Sequence, residues 1–155
     1  MRASVITALS VVLGGCSSPA PQTETAPVVE QVRLPTDESR RFPKDGQTKM
    51  ELVENHLLGK EYFKGGNLAS YERDGKQYRQ FLLQAADEKE ALDLLSAVKE
   101  DLEDRKFVAA FGGYYGRNSG EGWFVFLKQN YLLGIVGLEQ AEADLIARDF
   151  AARIH

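Results

Sequence analysis

The most unusual stretch of the sequence is a glycine-rich segment in its second half. Five glycines lie between residues 112 and 122, with Arg117 among them. Backbone N–H groups in such a loop can surround an anion, and an arginine can bind a carboxylate or phosphate. The segment lacks the Gly-Lys-Ser/Thr ending and the following helix of a P-loop. The alternative, which we favour, is a mobile hairpin connection between two strands.

Aromatic residues accompany this segment. Tyr114, Tyr115, Trp123 and Tyr131 could form an aromatic wall of the kind that binds sugars or peptidoglycan. Aromatic residues that alternate along a strand are also ordinary core residues, and we favour that interpretation. The candidate ligand-binding residues are therefore Arg117, Tyr114, Tyr115 and Trp123.

The sequence contains few candidate catalytic residues. His56 lies near Glu54 and Glu61, while the other histidine, His155, is at the chain end. His56 is then the only realistic general base, and no Ser-His-Asp set is expected. We expect His56 to be a surface residue, and we predict no catalytic residue, metal site or cofactor. Two hypotheses remain: a non-enzymatic domain that binds an envelope protein or small ligand, which we favour, and a hydrolase or transferase acting on envelope polymers.

The single cysteine stands in a specific context. Arg2 and an apolar run precede Leu13, Gly14, Gly15 and Cys16. This ending resembles the lipobox of bacterial lipoproteins. The resemblance implies that residues 1–15 are a signal peptide removed before Cys16. It also implies diacylglycerol on the Cys16 sulfur, a fatty acid such as palmitate on the new amino group, and anchoring in membrane lipid. In a Gram-negative host, Ser17 favours the outer membrane, facing the periplasm.

The next segment differs in composition from the rest. All five prolines lie between residues 19 and 43, and apolar residues are sparse and aperiodic. Such a segment buries too little apolar surface to offset its ordering entropy. We predict that residues 16–48 comprise the acylated cysteine and a disordered tether, and that the folded domain occupies residues 49–155.

The pattern of the remaining residues predicts an α+β domain. Apolar residues at helical spacing indicate helices over residues 87–105 and 139–154, the first with a capping box at Asp87 and Glu90. Asp74-Gly75 and Gln129-Asn130 are typical of tight turns between strands. We predict an antiparallel sheet with both helices on one face. Leu95 and Phe150 would then share one core with Trp123 or Phe124.

Composition excludes several classes of function. The chain has 155 residues, with 19 Lys and Arg against 23 Asp and Glu, and a formal net charge of −4. No apolar run approaches the ~20 residues of a membrane-spanning helix. The acidic balance argues against a nucleic-acid partner, which requires clustered positive charge.

The domain also resembles a family of uncharacterised bacterial secreted and lipid-anchored proteins. The residues that carry this resemblance are the run LLGKEY at 57–62, Gly65-Gly66, Ala69, Tyr71, and the run YLLGIVG at 131–137. In that family the pattern commonly forms the later half of a longer chain. The family has no established activity, so the resemblance implies no catalytic residue.

Overall fold

Residues 34–155 are described by the structure, a computed structural model. They form seven strands and two α-helices: β1 Gln47–Val53, β2 Gly66–Arg73, β3 Lys76–Gln84, α1 Glu88–Asp101, β4 Glu103–Val108, β5 Gly113–Asn118, β6 Glu121–Lys128, β7 Tyr131–Val136 and α2 Gln140–Ala152. Short 3₁₀ turns occur at Ser39–Arg41 and Leu57–Gly59. The predicted α+β class with an antiparallel sheet is confirmed, although strands dominate.

The seven strands form one antiparallel sheet in the order β1-β2-β3-β7-β6-β5-β4. Two-residue turns at Asp74-Gly75 and Gln129-Asn130 join β2 to β3 and β6 to β7, as predicted. A third turn, Ser119-Gly120, joins β5 to β6 with φ values of 51° and 83°. Positive φ at both central residues matches the twist of antiparallel hairpins.

The two helices pack against different sets of strand residues. Val98 of α1 clusters with Trp123 and Val125, whereas Phe150 of α2 clusters with Phe124. Successive side chains of a strand point to opposite faces, so α1 and α2 cover opposite faces, here called the α1 face and the α2 face. The prediction that both helices pack on one face is not confirmed. The reason is that apolar residues occupy consecutive positions in β6, from Trp123 to Leu127, and in β7, so both faces of these strands need a cover.

The first helix begins as predicted and ends earlier. The Asp87 carboxylate accepts a hydrogen bond from the Glu90 N–H over 2.8 Å, and the Glu90 carboxylate accepts one from the Ala86 N–H over 2.6 Å. These bonds satisfy N–H groups that a helix start leaves without partners. The helix stops at Asp101 because Glu103 already pairs with Arg117 in the sheet.

Residues 36–46, here called the strap, pack on the α2 face, although the sequence predicts a disordered tether there. Phe42 is 1% exposed, and its ring centroid lies 5.0 Å from that of Phe150. The Pro43 carbonyl accepts a hydrogen bond from the Tyr71 hydroxyl. One buried aromatic residue creates no periodic pattern, so the sequence does not reveal this packing. The predicted signal peptide, Cys16 and the tether as far as residue 33 lie outside the described residues.

Candidate functional site

The four candidate ligand-binding residues do not form one site. Trp123 belongs to the cluster on the α1 face, and Tyr114 packs against that cluster. Tyr115 belongs to the cluster on the α2 face. Arg117 lies two positions after Tyr115 in β5 and shares its face. Strand alternation therefore divides the four into two pairs.

The pair on the α2 face is bound to the start of α2. Arg117 donates a hydrogen bond to the Glu139 carboxylate over 2.8 Å and another to the Gly120 carbonyl over 3.1 Å. The bond to Glu139 raises the pKa of Arg117. The Tyr115 hydroxyl lies 3.2 Å from the Leu138 carbonyl oxygen, and burial raises its pKa. These contacts join the β5–β6 hairpin to α2, which is a structural role.

The pair on the α1 face is mostly core. The buried Trp123 ring packs near Phe81, with centroids 6.1 Å apart. Its indole Nε1 has no hydrogen-bond partner among the described residues. Tyr114 packs against Phe107 at 5.5 Å and beneath the Lys99 ammonium at 5.8 Å.

The glycine-rich segment belongs largely to strands. A Cβ atom on Gly113 would lie 2.2 Å from the Val125 carbonyl oxygen, and one on Gly122 would lie 2.2 Å from the Leu138 carbonyl oxygen. These glycines allow backbones to approach closely in the sheet. The segment therefore does not form a single open loop around an anion, and only Ser119-Gly120 connects the two strands.

A polar cluster that the sequence did not indicate lies above Trp123. The Lys60 ammonium donates to the Asp101 carboxylate over 2.5 Å and to the Asn118 side-chain oxygen over 2.9 Å. It also lies 5.4 Å from the centroid of the Trp123 ring. The Tyr62 hydroxyl donates to the same carboxylate over 2.9 Å.

The ionisation of this Lys60 cluster follows from its contacts. The hydrogen bond from Lys60, helped by those from Tyr62 and Asn118, lowers the pKa of Asp101. Burial, together with the Asp101 carboxylate, raises the pKa of Tyr62. At neutral pH the cluster is therefore a lysine–aspartate ion pair with a neutral tyrosine.

A cavity of about 260 Å³ opens on the α1 face next to this cluster. Its lining includes Thr48, Ser70, Gln77, Arg79, Glu121 and Val136. Arg79 lies two positions from the core residue Phe81 and opposite Ser70, so these side chains share the α1 face. Arg79 donates a hydrogen bond to the Glu121 carboxylate over 2.8 Å, and both side chains remain partly exposed.

Strand register makes the cavity and the Lys60 cluster neighbours. Val136 of the cavity lies opposite Trp123, and Glu121 lies opposite Asn118. We call the cavity together with the Lys60 cluster the polar surface. One signal for it exists in the sequence: on β3 the alternate positions change from the apolar Phe81 to the polar Arg79 and Gln77. The same change occurs at any strand end that is exposed to solvent, so it does not by itself identify a binding site.

His56 is exposed, as expected, and lies in the chain segment between β1 and β2 that also carries Lys60 and Tyr62. Its backbone adopts a left-handed conformation, with φ of 52°. Within residues 34–155, no group of three His, Cys, Asp or Glu side chains is placed to hold a metal ion. Neither helix of these residues has the length and hydropathy to cross a membrane.

Comparisons with protein families, curated proteins and solved structures find no match to this chain. The resemblances to the lipobox and to a family of bacterial secreted and lipid-anchored proteins stay predictions.

Proposed function

We propose that the protein is a lipid-anchored protein of the cell envelope whose domain binds a ligand or partner without catalysing a reaction. Support for the anchor comes from the sequence Leu13, Gly14, Gly15, Cys16 after an apolar run. A single acyl chain binds membranes only marginally, and each further buried methylene adds about 0.8 kcal/mol. Several chains on Cys16 would hold the domain at the membrane, on the periplasmic side of the outer membrane in a Gram-negative host.

The anchor is tested by replacing its acceptor. Cys16→Ser should abolish incorporation of labelled palmitate and move the protein from the membrane to the soluble fraction. Ser17→Ala should leave both properties unchanged and serves as the control. Palmitate incorporation that persists in Cys16→Ser would rule out Cys16 as the acylated residue.

The observation that carries the binding function is the cavity at Arg79 and Glu121. Helix α1 packs mainly on β5, β6 and β7, so the α1-face side chains of β2 and β3 near the cavity remain accessible. A guanidinium has five donors, and among the described residues Arg79 gives one of them to Glu121. The Glu72 and Glu121 carboxylates line the same cavity as the remaining Arg79 donors and the Ser70 hydroxyl. Donors and acceptors side by side suit the hydroxyl groups of a sugar, whereas two carboxylates against one paired arginine disfavour an anionic ligand. We therefore propose a neutral saccharide as the ligand class.

No specific observation favours the alternative hydrolase or transferase. That hypothesis needs Arg117, Glu121 and His56 around one pocket. Arg117 faces the α2 side of the sheet and is paired with Glu139, whereas Glu121 lines the cavity on the α1 side. In the Lys60 cluster, the lysine is held by two acceptors and the carboxylate by several donors. This arrangement favours a structural role for the cluster.

The binding proposal is tested by amide chemical shifts of the full chain carrying Cys16→Ser. Glucose should shift the amides of Ser70 and Glu121, while glucuronate at the same concentration should shift them much less, because the Glu72 and Glu121 carboxylates repel its anionic group. Arg79→Gln should strongly reduce the glucose response. Arg148→Gln is the matched control, because Arg148 is also an exposed arginine paired with a carboxylate, that of Asp144. Equal responses in the two variants, or none in the parent chain, would refute the cavity as the site.

A further inference from the structure

The two edges of the sheet differ in how open they are to another strand. β4, at one edge, is interrupted by a register shift between Glu103 and Lys106, with Asp104 at φ of 49°. Bulges and charged residues are the usual means by which edge strands avoid pairing. β1, at the other edge, has its register shift at its beginning, between Gln47 and Lys49, and pairs with β2 without interruption from Lys49 to Val53. No described strand covers its outer side.

The charges of β1 are complementary to a second copy of β1. Lys49 and Glu51 lie on the same face of the strand, 2.7 Å apart at their charged atoms, and both are partly exposed. When two β1 strands pair antiparallel with Met50 opposite Met50, each Lys49 lies opposite the other copy's Glu51. Opposite charges in directly opposed positions stabilise antiparallel pairs, and like charges destabilise them.

Neighbouring registers do not have this property. Directly opposed residues must face the same side of the sheet, so the two-fold axis must pass through a residue. The neighbouring registers are those in which the axis passes through the residue before or after Met50. An axis at Glu51 places the two Glu51 carboxylates opposite each other, and an axis at Lys49 does the same for the two ammonium groups. The charges therefore select the register centred on Met50.

The apolar residues of β1 agree with this register. Leu52 is 46% exposed, and Met50 on the same face is partly buried against the core. Pairing would place Leu52 diagonal to Met50 of the other copy, within reach of its side chain. The contact would remove part of the exposed Leu52 surface from water.

We propose that β1 is a self-association edge: two copies pair their β1 strands antiparallel about a two-fold axis at Met50. The result is one continuous sheet of twice seven strands. The interface is isologous, as expected for a two-fold dimer. It is also small, so the dimer is weak in solution.

The test uses charge exchange in the full chain carrying Cys16→Ser, measured by sedimentation velocity over a concentration series. Lys49→Glu alone and Glu51→Lys alone should each weaken association by about tenfold or more, because each places like charges opposite each other twice. The double variant should restore association. An equimolar mixture of the two single variants should also associate, since each supplies the charge that the other lacks.

The β4 edge provides the matched control. Lys106→Glu with Glu103→Lys changes the same types of charge on the opposite edge and should leave association unchanged. A chain that stays monomeric at every concentration would overturn the proposal. This holds both if another part of the chain covers β1 and if β1 stays uncovered. Association that is lost in the β4 variant and retained in the β1 single variants would also overturn it.

Discussion

Phe42→Ala should destabilise the domain strongly, because the strap is part of its core. The Phe42 side chain is 1% exposed and packs against Phe150. Truncation of a buried phenylalanine typically costs about 3–5 kcal/mol. Domains of this size are stable by only about 5–15 kcal/mol in total. Loss of this one ring should therefore remove a large part of the free energy of unfolding.

Polar contacts also hold the strap on the domain, and they bear on whether the strap can detach before the sheet unfolds. Arg41 donates to the Glu38 carboxylate over 2.8 Å and to the Arg153 carbonyl over 3.0 Å. The Tyr131 hydroxyl lies 3.2 Å from the same carboxylate. If the strap detached before the sheet unfolded, Phe42→Ala would cost no more than the free energy of strap docking. These contacts make separate detachment unfavourable, so we expect the full cost.

Urea denaturation of the full chain carrying Cys16→Ser measures this effect. Trp123 is the only tryptophan and is buried, so its fluorescence reports unfolding of the sheet. Leu34→Ala is the control, because Leu34 is 68% exposed and such substitutions change stability by roughly 0.5 kcal/mol or less. If Phe42→Ala is as mild as Leu34→Ala, the strap does not contribute to the core and our reasoning is wrong.

Three further predictions test other parts of the structure. Leu95→Ala should cost about 2–5 kcal/mol, whereas Glu100→Ala on the exposed side of α1 should stay within about 0.5 kcal/mol; urea denaturation of both compares the faces of the helix. Gln80→Met should stabilise the domain by about 1 kcal/mol, because the buried Gln80 side-chain oxygen has no hydrogen-bond partner among the described residues; an unchanged or lower urea midpoint would contradict this. Asp101 has a pKa below its ordinary 3.8, so its ion pair with Lys60 stabilises the fold above that pH and is lost as the pH falls through the lowered value. Asp101→Asn should therefore lose less stability than the parent chain between about pH 5 and pH 3. Equal losses in thermal melts would contradict this reasoning.

Local signals in the sequence predicted the elements well. The dipeptide Asp74-Gly75 forms a tight turn whose conformation depends on these two residues themselves. Asp87 and Glu90 cap α1 through contacts within one helical turn. These features depend on neighbours in the chain. The same reasoning put both helices on one face of the sheet, which the structure does not confirm, because in β7 the apolar residues occupy consecutive positions and therefore both faces.

The site was harder to predict than the fold because it depends on register. Tyr114 and Tyr115 are adjacent in sequence and lie on opposite faces of the sheet. Ser70, Arg79 and Glu121 come from three strands, and the positions at which they meet are set by pairings over long sequence separations. Composition and spacing therefore pointed to the glycine-rich segment and its aromatic residues. The polar surface instead consists of common polar residues, which no sequence pattern distinguishes.

The proposed dimer and the proposed ligand site have a geometric consequence for each other. A two-fold axis perpendicular to a continuous sheet keeps equivalent faces on the same side, so both copies would present their cavities on one face. Thr48 belongs to the edge strand β1 and lines the cavity, which places the two cavities close to the shared edge. Two sites held in this way bind a repeating polymer more tightly than separate sites do, because the second contact is intramolecular. A weak dimer edge and a shallow polar cavity would thus act together in the multivalent attachment of an anchored protein to a repetitive envelope polymer.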